Sequence, residues 1–599
     1  MKSISVPPLV TARVAGNLSD LPVRNGANQP HKVAFCTPSS GTWIDITNEE
    51  FLADVRALAK GLMALGIGLG DRVAIMSRTR YEWAAADFAI WMAGAVSVPI
   101  YETSSALQVS WIVADATCCA VILETATHAR ILAQATAESA QRPTVWQIDA
   151  GGLDDLKDAG SQITDEALES RRSQVTRADI ATIVYTSGTT GRPKGCQLTH
   201  DNFMALAENA TESMKMVVGG EGACTLLFLP LAHVFARFIQ VVCVQAGVRM
   251  GFTSDVKNLI ADFATFGPTF ILSVPRVFEK IYNSAEQKAL SQGKGRVFAA
   301  SAATAIAWSQ AVERDEVGVL LQVRHTFFDK VVYGKLRASM GGRVEYAVCG
   351  GAPLGARLGH FFRGIGITVL EGHGLTETTA PATLNTPDLI KIGTVGHPLP
   401  GVAIQIADDG KVLIKGNNVF SSYNNNQTAT REALVDGWFH TGDIGELDEE
   451  GFLKITSRKK ERLITAGGKN VVPVLLEDRL RAHPLVSQCI VVGDQKPFIG
   501  ALITLDDQML PAWGKNNRVR NLTPEDARTN DVVHADLSSA VENANKAVSK
   551  PESIRKFSVL AGDFTQDNGY LTPSLKVKRA MVMRDFAPDI EALYAGPGQ

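Results

Sequence analysis

The residues best suited to chemistry form one run, Tyr185-Thr186-Ser187-Gly188-Thr189-Thr190-Gly191-Arg192-Pro193-Lys194-Gly195. It carries four hydroxyl side chains on serine and threonine, three glycines and a lysine. Glycine lets the backbone take unusual φ and come close to a ligand. Hydroxyls and free N–H groups donate hydrogen bonds, and Lys194 adds a mobile positive charge. That set suits a polyphosphate. It is not a Walker A loop, because no glycine-lysine-serine/threonine closes it. A Gly/Thr-rich surface turn is the plainer reading. Against it, the apolar lead-in from Ala181 to Tyr185 reads as a short buried strand, and strand-loop-lysine is the setting a phosphate loop needs.

Other candidates follow in order. His233 stands in Leu229-Pro230-Leu231-Ala232-His233-Val234-Phe235-Ala236-Arg237, after a strand that reads as ending at Pro230 and exposing the imidazole. Alone, it would be a satisfied core histidine. Ala347 to Leu354 reads as a strand entering a glycine turn. Then come Glu371-Gly372-His373-Gly374-Leu375-Thr376-Glu377, Asp436 to Gly445, Gly451 to Glu461, and Gly569 to Arg579.

In this order the runs resemble the adenylate-forming superfamily of acyl-CoA synthetases, luciferases and peptide-synthetase adenylation domains. The resemblance is nearest to bacterial long-chain fatty acyl-CoA synthetases and spans Tyr185 to Arg579. It implies ATP, Mg2+, coenzyme A and a fatty acid as ligands. By resemblance, Thr186, Ser187, Gly188, Thr189, Thr190, Gly191 and Lys194 hold ATP phosphates. Gly351, Ala352, Glu371, Gly372 and His373 would form the adenine pocket. Thr376 would meet the α-phosphate, and Glu377 with Thr186 would hold magnesium, which favours few carboxylates plus phosphate oxygens and water. Asp443 would accept from both ribose hydroxyls, as suits an ionised carboxylate, and Arg458 would touch ribose or phosphates. His233 would lie by the acyl carboxylate. Lys576 would be the catalytic lysine, with Lys578 as the alternative and a basic surface strand as the plain reading. Lys460 would be the hinge, and Gly467, Gly468, Lys469 and Asn470 a loop that shapes the thioester-forming site.

The sequence departs from the family pattern in three places. His373 stands where tyrosine is usual, so the ring that stacks on adenine has less area. Ser457 replaces a glycine at the hinge motif. Leu575 replaces a glycine common before the catalytic lysine.

The elements that must position these residues show an α/β pattern. Thr47-Asn48-Glu49-Glu50 has the form of a capping box, with Phe51, Leu52, Val55, Leu58, Leu62 and Met63 at helical spacing behind it. Strand 72–76, a helix over 81–93 and strand 95–99 imply a βαβ unit and a mainly parallel sheet. Residues 124–178 read as helices and loops, 301–340 as helix-rich. The resemblance implies a large N-terminal domain over 1–456, a hinge at 457–460 and a small mobile α+β domain over 461–599.

Bulk properties bound the rest. A chain of 599 residues is too long for one core. A net charge of −3 gives no sign of nucleic-acid binding. Eight cysteines without a CxxC pair, and no apolar signal segment, make a reducing cytoplasmic setting the default. Cys118 and Cys119 read as buried small hydrophobes. A basic section holds Arg276, Lys280, Lys288, Lys294 and Arg296. It reads as a solvated helix face or, alternatively, as a grip for CoA phosphates or an anionic membrane surface, leaving peripheral contact with the inner membrane face open. The expected function is a long-chain fatty acid–CoA ligase. A fatty acyl-AMP ligase serving a carrier protein, and a non-catalytic lipid-binding relative, are the competing readings.

Overall fold

The capping box closes as the sequence predicts. Thr47 Oγ1 accepts from the Glu50 N–H at 3.3 Å, and the Glu50 carboxylate accepts from the Thr47 N–H at 2.8 Å. Behind it the helix Asn48–Ala64 buries Phe51, Val55, Leu58 and Leu62. Strand Arg72–Met76, helix Tyr81–Met92 and strand Val96–Ile100 form the expected βαβ unit, with parallel register from Arg72↔Val96 to Met76↔Ile100. The helix is buried on nearly all sides, which is why it carries no polar stripe. Its one buried charge, Asp87, accepts from Arg237 Nε at 2.9 Å. Arg237 also donates to Thr182 Oγ1 at 2.5 Å. This buried pair therefore ties the histidine-bearing helix Val234–Ala246 to the strand Ile180–Thr186 that leads into the phosphate loop.

The computed structural model describes residues 1–11, 15–39, 41–139, 142–186, 192–254, 258–458, 461–467, 469–519, 522–572 and 575–595. Ser187, Gly188, Thr189, Thr190, Gly191, Lys460 and Gly468 lie outside the described residues. The N-terminal part holds four sheets among the described residues. A seven-stranded sheet is parallel from Thr144–Gln147 across to Ile180–Thr186, which then pairs antiparallel with Lys194–Thr199. A five-stranded sheet runs Phe270–Ser273, Tyr346–Cys349 and Thr368–Leu375 in parallel before turning antiparallel. A smaller sheet mixes both directions, and a six-stranded sheet is antiparallel throughout. Helices cover these sheets, and a continuous core gathers residues from Leu18 to Leu453.

A separate core begins at Leu463 and packs around the antiparallel pair Val486–Val492 and Ile499–Leu505, to which Ile554–Val559 adds in parallel. The whole is α/β, a large N-terminal part followed by a smaller α+β part.

Three local expectations change. Residues 124–178 contain an edge strand, Thr144–Gln147, besides their helices. The strand before His233 ends at Leu227, not Pro230. Cys118 is buried, whereas Cys119 is exposed.

Candidate active site

Strand register places the first pair of groups. Thr186 and Lys194 face each other across the antiparallel pair that flanks the loop. Lys194 Nζ lies 5.0 Å from the centre of the Tyr423 ring, whose hydroxyl donates to Glu377 Oε1 at 2.7 Å. Thr186 and Glu377 both reach Cys196, and burial together with Glu377 pushes that thiol well above its ordinary range. The proposed magnesium pair is thus gathered at one point. One carboxylate and one hydroxyl, open to phosphate oxygens and water, is a donor set that fits magnesium. Among the described residues no cluster of three or more His, Cys, Asp or Glu side chains offers a richer metal site.

Glu377 itself sits in the short 3-10 turn Thr376–Thr378. The next two residues, Thr379 and Ala380, have φ of 56° and 92°, a left-handed backbone that costs energy without glycine. Thr379 Oγ1 donates to the Asn418 carbonyl at 2.8 Å, and Thr378 Oγ1 to the Ala380 carbonyl at 2.9 Å. These bonds hold the strained turn that aims Thr376 and Glu377.

Register also places the second pair. Asp443, on strand Trp438–Leu447, faces Arg458 across the sheet, with Arg458 Nε 3.0 Å from Asp443 Oδ1. The other oxygen, Oδ2, lies 3.3 Å from His373 Nε2, close but off the line of a hydrogen bond. Both atoms are buried without a hydrogen-bond partner among the described residues, and Asp443 is only 2% exposed. Burial raises the Asp443 carboxyl, but His373, Arg458 and Lys576 outweigh it and hold it below the usual carboxylate range. An ionised, buried, under-bonded carboxylate is what a diol needs as acceptor.

The strand Tyr346–Cys349 ends in a turn where Gly351 has φ of +86°. Here Lys576 arrives from the C-terminal domain: a Cβ placed on Gly351 would lie 3.6 Å from Lys576 Cε and 3.8 Å from Nζ. Burial, then Arg458, lowers Lys576 to about 8, against the pull of Asp443 and Glu461. Lys576 in turn adds to the burial that lowers His233 to about 3, so His233 is a neutral imidazole. His233 is half-buried rather than exposed, and its Nδ1 caps the helix Val234–Ala246 by accepting from the Phe235 N–H at 3.2 Å. Lys578 is lowered by burial too.

Leu575, just before the lysine, takes φ of +60°, the conformation for which the family's glycine is suited. Its side chain packs against both the N-terminal core and the C-terminal core.

Glu371 braces rather than faces the pocket. Its Oε1 accepts from the Leu354 N–H at 2.9 Å, and burial pushes it up to about 7. Gly372 is packed against Thr383 and Leu384 of the next strand, and Ala352 is exposed on the Gly351 turn. Gly467, Lys469 and Asn470 are not brought to this site. Asn470 pairs with Ile464, and Lys469 lies 4.0 Å from Glu552, all within the C-terminal domain.

From Phe235, two residues past His233, a narrow apolar slot of about 30 Å³ begins. Phe235, Phe238, Ile239 and Val242 line it at i, i+3, i+4 and i+7 of one helix, facing Met214 and Val348. A more open cavity between Arg72, Asp179, Gln197 and His200 lies toward the other end of the parallel strands and contains none of the residues above.

Sequence reasoning missed Tyr423, which sits 46 residues from Glu377 and carries no motif signal. It also misread Arg276. That guanidinium neither lies on a solvated face nor is free for CoA or lipid, because it is bonded across the seam between the domains.

The chain belongs to the AMP-binding enzyme family, which matches residues 23–424, with the family's C-terminal domain matching 460–597. It is 49% identical to long-chain-fatty-acid–CoA ligase FadD15 of Mycobacterium tuberculosis and to FadD15 of Mycobacterium bovis. Each match covers 99% of this chain and 100% of the relative. Among solved structures, the anthranilate CoA ligase AuaEII in complex with anthranoyl-AMP is similar with a TM-score of 0.74 at 19% identity, covering 97% of this chain and 99% of that one.

Proposed function

We propose that this chain is an AMP-forming long-chain fatty acid–CoA ligase. The observation that carries the reading is the position of Lys576, inserted from the second domain beside Gly351, near Asp443, Arg458 and His233. The relatives named as long-chain-fatty-acid–CoA ligases over their full length support it.

A carboxylate is a poor electrophile, because its leaving group would be oxide. Joining it to AMP gives a mixed anhydride that a thiol can open. In the first step the acid's oxygen attacks the α-phosphorus and pyrophosphate leaves. Lys576 and Thr376 stabilise the charge that builds at the α-phosphate, and Lys194 steadies the departing phosphates. Asp443 fixes the ribose, and neutral His233 orients the acyl carboxylate. Glu377 and Thr186 would hold magnesium, which supplies charge neutralisation to the phosphates. In the second step the CoA thiol attacks the acyl carbon and AMP leaves. Lys576 must then withdraw, and a rotation about a hinge at 457–460 would bring the 467–470 loop in.

The test is ATP- and CoA-dependent thioester formation across acids from short to very long. AMP, pyrophosphate and acyl-CoA should appear together, fastest with long acids. Acyl-AMP and pyrophosphate accumulating even with CoA present, with no acyl-CoA and no AMP released, would favour the acyl-AMP ligase, and absence of pyrophosphate exchange the non-catalytic relative.

A second reading concerns location. The helix Val319–Phe328 exposes Val319, Leu320, Val323 and Phe327 by 82, 75, 60 and 59%. Lys330 and Lys335 follow this helix in the chain, and Lys294 and Arg296 stand at the start of the helix Gly295–Glu313 that packs against it; all four are exposed. A single apolar helix face with cations around it suits peripheral contact with an anionic bilayer. No helix among the described residues is long and apolar enough to cross a membrane. Val323→Glu with Phe327→Glu should abolish co-flotation with phosphatidylglycerol vesicles, and unchanged flotation would remove the idea.

A further inference from the structure

We propose that Arg276 is a positioning residue, a latch that seats the C-terminal domain in the adenylate-forming pose. The inference rests on the two-step reading above. Arg276 lies in the first turn of the helix Pro275–Ser291. Its guanidinium has four acceptors, and three belong to the C-terminal domain. Nη2 donates to Asp506 Oδ2 at 3.1 Å and Ser487 Oγ at 3.4 Å, and Nη1 to the Val486 carbonyl at 3.5 Å. The fourth, Glu279 at 3.2 Å, lies one turn along its own helix. Such a planar fork of donors can register one body against another, which a lysine cannot do. Eleven residues further along the same helix, about three turns, Gln287 Oε1 accepts from Asn516 at 2.9 Å. The helix is therefore a rail gripped at two points.

The latch is tied to the chemistry by strand register. Ser273 pairs with Cys349 at the ends of adjacent parallel strands. Arg276 follows three residues after the first, and the Gly351 turn that receives Lys576 follows two residues after the second. Seating Arg276 against Asp506 thus sets the domain one strand away from where Lys576 must land.

The latch can also open without orphaning a charge. When the domain leaves, Glu279 still faces Arg276. Asp506 keeps the Gln508 and Met509 N–H groups, which donate to its other oxygen at 3.1 and 3.3 Å. Each partner has a second home, so the contact biases the pose rather than welding it.

The test separates the half-reactions. Arg276→Gln and Asp506→Asn should each slow acyl-AMP formation about tenfold, while thioester formation from supplied acyl-AMP stays within about twofold. The double variant should be no slower than either single one. Ser284→Ala, an exposed change on the same helix, should alter neither step. A pose readout independent of activity is fluorescence transfer between dyes on Glu316→Cys and Glu542→Cys, with Cys119→Ser removing the exposed thiol. Arg276→Gln should broaden the distance distribution. Equal loss in both half-reactions, additive losses, or an unchanged distribution would each overturn the latch. A wild-type chain that makes no acyl-AMP would sink the ligase reading instead, and the distance measurement would still judge the latch.

Discussion

The two halves of the site are built by different means. In the N-terminal domain, strand register sets the groups: Thr186 opposite Lys194, and Asp443 opposite Arg458. A one-residue slip would turn every side chain to the other face, so this half is fixed as soon as the sheets form. Lys576 comes instead from the C-terminal domain, and its place depends on a seam with its own core on each side. A strand-built half should serve every step. A docked half can serve one step and leave.

The sharpest way to break this comparison is Lys576→Ala. Acyl-AMP formation should fall about a thousandfold, the scale of losing a well-placed charge stabiliser. Thioester formation from supplied acyl-AMP should stay within about threefold. Rapid-quench assays of each half-reaction decide it, and equal losses would dissolve the distinction. Asp443→Asn is the contrasting change. Removing a charged acceptor for ribose should cost about 2–3 kcal/mol, roughly 30- to 160-fold, and in both half-reactions, because the same ribose is held throughout. A loss confined to one would show that Asp443 is not a fixed part of the site.

The pH dependence sharpens the same contrast. Burial lowers Lys576 to about 8, so its ammonium is intact below that value and lost above it. The kcat/KM for acyl-AMP formation should therefore fall about tenfold per pH unit above pH 8. Bound ATP favours the charged form, so kcat should turn down at a higher pH than kcat/KM. Thioester formation from supplied acyl-AMP should lack this limb. A shared alkaline limb in both half-reactions would place the titration outside Lys576.

The sequence was informative where chemistry and local pattern coincide. The capping box at Thr47 and Glu50 and the strand Arg72–Met76 fall where their residues predict them. Thr186 and Glu377, and likewise Asp443, Arg458, His373 and Lys576, come together although they lie far apart in the chain, whereas Lys469 and Asn470 do not reach them. What the sequence hid was relational. Thr144–Gln147 is a four-residue edge strand, too short for periodicity to mark. Tyr423 looks like an ordinary aromatic until the fold lays it on Glu377. Arg276 sits among cations, and only domain docking shows that Asp506 answers it. Contacts between distant segments leave no local trace in composition or spacing.

The smallest expected effect bears on why Leu575 replaces glycine. A left-handed leucine costs about 1–2 kcal/mol of backbone energy, and packing against both cores is what offsets it. The N-terminal part of that packing exists only while Lys576 is docked. Leu575→Gly removes the strain and the packing together, so acyl-AMP formation should fall only about threefold. Leu575→Ala keeps the strained φ and loses the packing, so it should be roughly five times slower than the glycine variant. Thioester formation should barely separate the two. If alanine matched or outran glycine, the strained backbone would not be part of what docking sustains, and the docked half would rest on its ion pairs alone.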